Sequence, residues 1–238
     1  MGAGGSILAI PALVYAAGLS AHEAASTALM VVGGAALFGA VTRHRAGWVD
    51  ARTGLALGGF GLPGAFAGAW LNQAAGERTI LLILAGVMAA AAASMFIGDF
   101  ARADGPDRRP DVSGPAWWIK IAASGAGLGV LTGFLGVGGG FLVVPLLALA
   151  LGFPMRLAVG TSLLVIFINS TAGLAAHIGL GDVNLGVGLP LLAGALLGSL
   201  AGGALGSRLG NLRYQHAFGA LLIGVTAFIL YENLGSLA

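Results

Sequence analysis

The chain has 238 residues, of which 58% are hydrophobic and only 8% are charged, and its mean hydropathy is +0.95. Soluble domains carry about 25% charged residues, so a chain of this composition cannot cover itself with a polar surface. The net charge of +2 is too small to indicate nucleic-acid binding, and the absence of cysteine excludes disulfides, thiolate metal sites and cysteine nucleophiles.

The apolar segments predict helices of membrane-spanning length, because a lipid core about 30 Å thick needs about 20 apolar residues per helix. In chain order they are a glycine-rich break with a short apolar piece at 2–18 and longer helices at 21–42, 53–72 and 79–98. A polar linker follows at 99–115, and Trp117 and Trp118 after it are typical of an interfacial anchor. The remaining segments are an additional helix at 117–135, a second break at 136–152, and helices at 156–178, 185–206 and 213–231. The predicted fold class is all-α, a polytopic membrane protein.

The two halves of the chain repeat one another. A shift of 134 residues aligns them without a gap from Gly2 to about Ile97. The shift places glycine, proline and threonine on residues of the same type, as in Pro11 with Pro145, Gly18 with Gly152 and Thr27 with Thr161. The alignment predicts a first membrane repeat at 1–98, which lacks a leading helix, the linker at 99–115, and a second membrane repeat at 116–238.

The lysine and arginine residues predict the orientation of the helices, because these residues collect on the cytoplasmic side of membrane proteins. If 117–152 returns to its own side of the membrane, ten of the eleven fall on one side and only Arg78 falls on the other. If that stretch crosses once, the division is seven to four. The first arrangement is preferred, and it gives the two repeats opposite orientations. Inverted repeats with broken helices near the midplane are a recurrent plan of secondary transporters.

The candidate binding site is built on two glycine motifs, GAGGS at 2–6 and GVGGG at 136–140. Unpaired N–H groups at the start of a short helix attract anions, and irregular backbone in a membrane must be buried or line a wet cavity. Hydroxyls and amides on the following helices can bind an oxyanion without burying a charge. The alternative is that the glycines only permit close packing and the hydroxyls only bond the backbone. The predicted substrate-binding residues are Gly138, Gly139, Gly140, Pro145, Thr161, Ser162, Asn169, Gly4, Gly5, Ser6, Ser26 and Thr27.

Other polar residues and glycines receive simpler interpretations. Five titratable residues near helix ends could relay a proton, but they are predicted to be interfacial residues that touch water. They are His22, Glu23, Asp50, His177 and Asp182. Ser170 and Thr171 are predicted to bond the helix backbone or a neighbouring helix, and two glycine pairs are predicted to pack helices. These pairs are Gly64 with Gly68 and Gly198 with Gly202.

The sequence contains no catalytic motif of the common kinds. It has no HExxH zinc motif, no GxSxG elbow and no Walker loop, and no intramembrane pair of acids or histidines is expected. The prediction is that the protein is not an enzyme and takes no cofactor or metal.

The paired motifs resemble those of the TauE/SafE family of sulfite exporters, also called TSUP permeases. The resemblance lies in Gly136 to Pro145, Gly152, Phe153 and Ala158 to Ser162, with weaker copies at Gly2 to Pro11, Gly18 and Ala24 to Ala28. It covers nearly the whole chain and implies a secondary carrier of small sulfur oxyanions, organosulfonates or related anions. Two residues of the first copy depart from the pattern of the second, since Ser6 and Ala28 align with Gly140 and Ser162.

The leading hypothesis is a secondary transporter of a small anion, sulfite or an organosulfonate, that alternates access between two repeats in the bacterial inner membrane. The sequence shows no ATP-using motif, so a coupling proton or cation is a candidate partner besides the anion and the lipid bilayer. Nucleic acid is not an expected partner, and the oligomeric state is left open. The alternatives are a noncatalytic membrane scaffold or subunit and a passive anion channel.

Overall fold

The computed structural model describes residues 9–97, 114–136, 140–177, 183–206, 220, 223–229 and 231. All regular structure in these ranges is helical, which confirms the all-α fold class. Two short pieces, π1 and π2, have π-helical hydrogen bonding. The elements in chain order are π1 (Ala12–Ala16), α1 (Ala21–Arg45), α2 (Ala51–Ala74), α3 (Glu77–Ile97), α4 (Pro115–Leu135), α5 (Gly140–Pro145), π2 (Leu146–Ala150), α6 (Met155–His177) and α7 (Leu185–Gly206).

Helices α1, α2, α4 and α6 are long and apolar enough to cross a membrane, which confirms the membrane-protein prediction. Their ends differ from the predicted ones by a few residues. Helix α1 continues through the basic turn that ends at Arg45, where positive side chains favour a helix C-terminus. The predicted linker at 99–115 lies almost wholly outside the described residues, as does most of the helix predicted at 213–231, of which 223–229 are helical.

Helices α2 and α4 run parallel, and their backbones touch. A Cβ atom at Gly125, Gly129 or Gly133 of α4 would collide with the main-chain carbonyls of Leu57, Gly61 and Ala65 of α2 respectively. In the other direction, Gly64 and Gly68 face the carbonyls of Ala126 and Val130. Small residues allow this approach in lipid, where no hydrophobic force drives association. The packing prediction is confirmed for Gly64 and Gly68, whereas Gly198 has no atom within 4 Å of its Cβ position in the described part of the chain.

Helices α1 and α6, which correspond to each other in the sequence repeat, run antiparallel. Three glycine contacts establish the direction, because the residue number on α6 falls as the number on α1 rises. The contacts pair Leu29 with Gly173, Gly33 with Ser170 and Gly39 with Leu163. The first and third contacts are repeat counterparts, since Leu29 aligns with Leu163 and Gly39 with Gly173. The two helices therefore exchange the same contact in both directions.

The glycine breaks before α1 and α6 end in the same local geometry. Gly18 and Gly152 both have φ of +69°, a left-handed conformation that suits glycine. Main-chain bonds from Ala17 N to Ala12 O and from Leu151 N to Leu146 O are both 3.1 Å long. The helix-to-helix turn of the first half is thus repeated in the second half 134 residues later.

The stretch from α4 to the start of α6 begins and ends at the same end of the helix bundle. The indole of Trp117 stacks on the ring of Phe153, with centroids 6.4 Å apart. Helix α4 has 21 residues and rises about 31 Å, whereas the 11 residues of α5 and π2 rise only about 16 Å at 1.5 Å per residue. The return segment is therefore about half as long as the helix that precedes it.

Candidate functional site

The two predicted threonines, Thr27 and Thr161, each cap the start of a helix in the other half of the chain. Thr161 Oγ1 on α6 accepts a 2.9 Å hydrogen bond from the main-chain N–H of Asp50, at the start of α2. Thr27 Oγ1 on α1 accepts a 3.0 Å bond from the N–H of Asn184, at the start of α7. Asp50 and Asn184 are themselves 134 positions apart. Each threonine thus satisfies one of the orphan donors at the start of a helix.

The side chains of Asp50 and Asn184 complete each cap in the same way. Asp50 Oδ1 accepts a 3.2 Å bond from Thr53 N, and Asn184 Oδ1 accepts a 3.2 Å bond from Val187 N. Both threonines are fully buried. Their bonds use a lone pair of the hydroxyl oxygen, so each O–H group can still donate to another acceptor.

The predicted serines bond their own helices. Ser26 Oγ donates to His22 O at 3.1 Å, and Ser162 Oγ donates to Val159 O at 2.8 Å. Pro145 is buried at the end of α5, beside the π-helical turn. Gly140 is the first residue of that helix. Gly4, Gly5, Ser6, Gly138 and Gly139 lie outside the described residues, so the two glycine motifs as anion sites stay a prediction.

Asn169 is the most unusual of the predicted residues. It is fully buried near the middle of α6, and neither its Oδ1 nor its Nδ2 has a hydrogen-bond partner in the described part of the chain. The amide lies directly against Gly61 of α2. A Cβ atom at position 61 would collide with the oxygen and the nitrogen of this amide. An unpaired buried amide costs about 1–3 kcal/mol. Its presence at the centre of the bundle needs a reason other than stability.

Further buried polar atoms without a described partner lie on α6, on α4 and at Thr226 in the helical stretch 223–229. Ser170 Oγ belongs to this group, although that side chain was predicted to bond the backbone or a neighbouring helix. Thr171 does bond the backbone, donating to Phe167 O at 2.7 Å. Thr132 Oγ1 on α4 is also buried and unpaired, and it is next to Gly133, which contacts Gly173 of α6. Thr132 was missed because a single threonine in an apolar helix gives no signal in the sequence.

The prediction that His177 is an interfacial residue in contact with water is wrong. Its side chain is only 2% exposed, and its ring turns back along α6 so that Nδ1 lies 2.8 Å from the carbonyl oxygen of Gly173. His22, the second residue of α1, lies at the same end of the bundle, and the expectation that the chain lacks an intramembrane histidine pair stays a prediction. His22 bonds Asn72 at 2.9 Å, and Asn72 in turn donates to Phe134 O at 2.6 Å. The end of the bundle that contains His22, Asn72, Phe134 and His177 is called the histidine end.

The opposite end of the bundle carries most of the described arginines. Trp48 lies on the loop between α1 and α2. The guanidinium groups of Arg43 and Arg156 lie 5.9 and 5.7 Å from the centre of its ring. Arg52 lies 5.8 Å from the ring of Trp118. Each such cation–π contact contributes about 0.5–1 kcal/mol at an exposed site. Because positive residues mark the cytoplasmic side, this end is the predicted cytoplasmic end and the histidine end the external one.

The arrangement contains polar groups suited to binding an oxyanion and no described group of three or more metal-ligating side chains. Hydroxyl and amide donors inside an apolar bundle can replace water around a small anion without a fixed counter-charge. The buried side-chain donors without any partner in the described part of the chain are the Asn169 amide and the hydroxyls of Thr132, Ser170 and Thr226.

Comparison with known proteins gives a consistent result. The family model described as "Sulfite exporter TauE/SafE" matches residues 1–229. A probable membrane transporter protein of Xylella fastidiosa (strain Temecula1) is 29% identical, over 100% of this chain and 91% of the relative. The probable membrane transporter protein YunE of Bacillus subtilis (strain 168) is 25% identical, over 99% of this chain and 93% of the relative. No solved structure matches the chain.

Proposed function

Because the chain belongs to the TauE/SafE sulfite exporter family of membrane transporters, we propose that it carries sulfite or a related sulfur oxyanion by alternating access between two inverted repeats. The observation that carries the proposal is the reciprocal capping of the two halves. The contact of Thr161 with Asp50 recurs as the contact of Thr27 with Asn184. A contact that two units exchange in both directions is the mark of a two-fold relation.

The direction of the helices supports inversion. Corresponding helices of parallel repeats would run the same way, whereas α1 and α6 run antiparallel, with Gly39 on Leu163 and Gly173 on Leu29. A two-fold axis in the membrane plane produces this arrangement. In an inverted pair, the two repeats can exchange conformations. This exchange opens the site to the opposite side of the membrane. The proposed mechanism therefore follows from the same contacts that define the repeat.

The proposed substrate position is beside Asn169, where the centre of α6 meets α2. The amide can donate two hydrogen bonds to an oxyanion, and its donors have no partner among the described residues. The hydroxyl of Ser170, on the next residue, faces α1 rather than α2, so it is an unpaired donor on the adjoining face of α6. Sulfite and sulfonates present three oxygens in a pyramid or tetrahedron, and neutral donors bind such groups without the cost of a buried cation.

The test measures uptake of radiolabelled sulfite into proteoliposomes by the wild type and by Asn169→Leu. Hydrogen bonds to a charged ligand contribute about 1.5–3 kcal/mol, so flux should fall about 10- to 100-fold. Leucine removes two unpaired polar atoms from a buried position, so the thermal stability should stay the same or rise. A purely structural asparagine would give the opposite pattern, with lower stability and flux that falls only with the amount of folded protein.

The matched control is Thr171→Val, on the outer face of the same helix, where the hydroxyl only bonds the backbone. Its flux should equal that of the wild type. Wild-type flux that does not saturate with sulfite concentration would indicate a channel. If every tested oxyanion fails to move, or if Asn169→Leu transports normally, the proposed site is wrong.

A further inference from the structure

The histidine end contains a second polar feature that the substrate site does not explain. His177 ends α6, is almost wholly buried, and has no described partner for Nε2. Its Nδ1 lies 2.8 Å from the carbonyl oxygen of Gly173. A carbonyl oxygen only accepts hydrogen bonds, so Nδ1 must carry the proton. Neutral His177 therefore holds an unprotonated Nε2, with its lone pair free, inside the bundle.

The tautomer of His22, at the same end of the bundle, follows from a similar argument. Asn72 Nδ2 donates to the carbonyl of Phe134, which identifies the opposite atom of the amide as Oδ1. Oδ1 accepts from His22 Nδ1 at 2.9 Å, so that nitrogen also carries a proton. Both imidazoles are held as the Nδ1–H tautomer by oxygen acceptors. Each can take a second proton only at Nε2.

None of the described charges around His177 supplies a counter-ion for an imidazolium, and residues 178–182, which include Asp182, lie outside the described part of the chain. On α1, His22 has the same sign when protonated, and the carboxylate of Glu23 is held by the N–H and hydroxyl of Ser20 at 3.3 and 3.4 Å. The last turn of α2 offers only neutral amides, and that of α4 offers no titratable side chain. Glu77 and Arg78, at the start of α3, are exposed. A buried imidazolium without a partner is costly, so protonation is favoured when a negative charge enters the bundle.

We propose that Nε2 of His177 is the proton-binding atom of the transport cycle, and that it takes up one proton together with each anion. The proton comes from water at the external end, forms the Nε2–H bond, and leaves as the anion leaves. Ser170 lies seven residues earlier on the same helical stripe, about 10 Å away along the axis, between His177 and the proposed anion position. The inference rests on the proposed anion transport, but the proton-binding atom can be tested apart from it.

The first experiment is a nitrogen NMR titration of full-length protein labelled in histidine, in detergent micelles, with sulfoacetate present. The signal lost in His177→Gln identifies the residue. We expect its neutral form to be the Nδ1–H tautomer and Nε2 to gain a proton somewhere between about pH 5 and 8, the range in which histidines ionise. An Nε2–H tautomer, or no protonation in this range, overturns the proposal whether or not transport is observed.

The second experiment measures sulfoacetate flux into proteoliposomes between about pH 6 and 8, where this anion stays ionised. At pH values above the pKa that the NMR titration gives for His177, the flux of wild type should fall about tenfold for each unit of pH, because the protonated fraction does. His177→Gln should remove the pH dependence, whereas His44→Gln, an exposed residue at the other end, should keep it. Saturable flux that ignores pH in the wild type would overturn the coupling and leave the proposed transport intact. Absence of all flux would overturn the transport, and the NMR result would still decide the proton site.

Discussion

The contact between α2 and α4 predicts that two glycines two residues apart respond oppositely to the same substitution. Gly129 faces the main-chain carbonyl of Gly61, while Gly127 has no atom within 4 Å of its Cβ position. Alanine at position 129 cannot be accommodated by a side-chain rotation, because the obstacle is backbone. The helices must move apart along their length. Alanine at position 127 enters open space on the lipid side.

The expected difference in the free energy of unfolding between the two variants follows from two contributions. Overpacking a tight contact costs about 1–3 kcal/mol. Replacing glycine by alanine inside a helix gains about 0.5–1 kcal/mol, and this gain is common to both variants. Gly127→Ala should therefore be slightly more stable than the wild type, and Gly129→Ala should be less stable than Gly127→Ala by about 1–3 kcal/mol. For a chain of this size, that difference corresponds to about 2–12 °C in Tm.

The assay is thermal unfolding of the purified variants in one detergent, followed by tryptophan fluorescence and by the fraction that remains monodisperse after heating. Both variants are compared at the same protein and detergent concentration. Equal Tm values for the two variants, or a more stable Gly129→Ala, would refute the backbone contact between α2 and α4.

Three further substitutions test separate features. Thr161→Val keeps the shape of the side chain but leaves a buried N–H unpaired at the start of α2, so unfolding should become easier by about 1–3 kcal/mol. Thr171→Val, at an exposed position of the same helix, should change the Tm little, and equal effects would contradict the cap. Gly152→Ala places a Cβ in a left-handed conformation and should cost about 1–2 kcal/mol, measured by the same unfolding assay. Asn72→Leu should lower the free energy of unfolding by about 1–3 kcal/mol, with a lower Tm, because the carbonyl of Phe134 and the imidazole of His22 lose their partner. An unchanged Tm would show that the hydrogen bonds of Asn72 do not stabilise the fold.

The sequence was sufficient to predict the helices because lipid imposes a simple requirement. Every backbone group in the hydrocarbon must be satisfied within its own segment, so apolar length alone identifies a spanning helix. The register of the repeat was equally visible, and it paired Thr27 with Thr161 before any contact was known. Those two residues proved to bond main-chain N–H groups of helices in the opposite halves.

The sequence could not predict which polar residues would be left without partners. Ser162 and Ser170 look alike in the chain, yet Ser162 bonds Val159 O and Ser170 faces α1 with no described partner. The difference depends on side-chain rotamers and on the neighbouring helices. His177 was misjudged for a related reason. Its position at the end of an apolar run indicated an interface, but its side chain is buried, and burial at a helix end depends on tertiary packing.

The reciprocal caps also have a consequence for how the protein is made. The bond between Asp50 and Thr161 spans 111 residues of chain, and the bond between Thr27 and Asn184 spans 157. At a synthesis rate of about 5–20 residues per second, α2 waits about 5–20 s in the membrane before its capping threonine is made. The starts of α2 and α7 are each completed by a threonine of the other half, so each half stabilises a helix start in its counterpart. A chain interrupted between the repeats should therefore leave the first half as a substrate for membrane proteases until the second half is supplied.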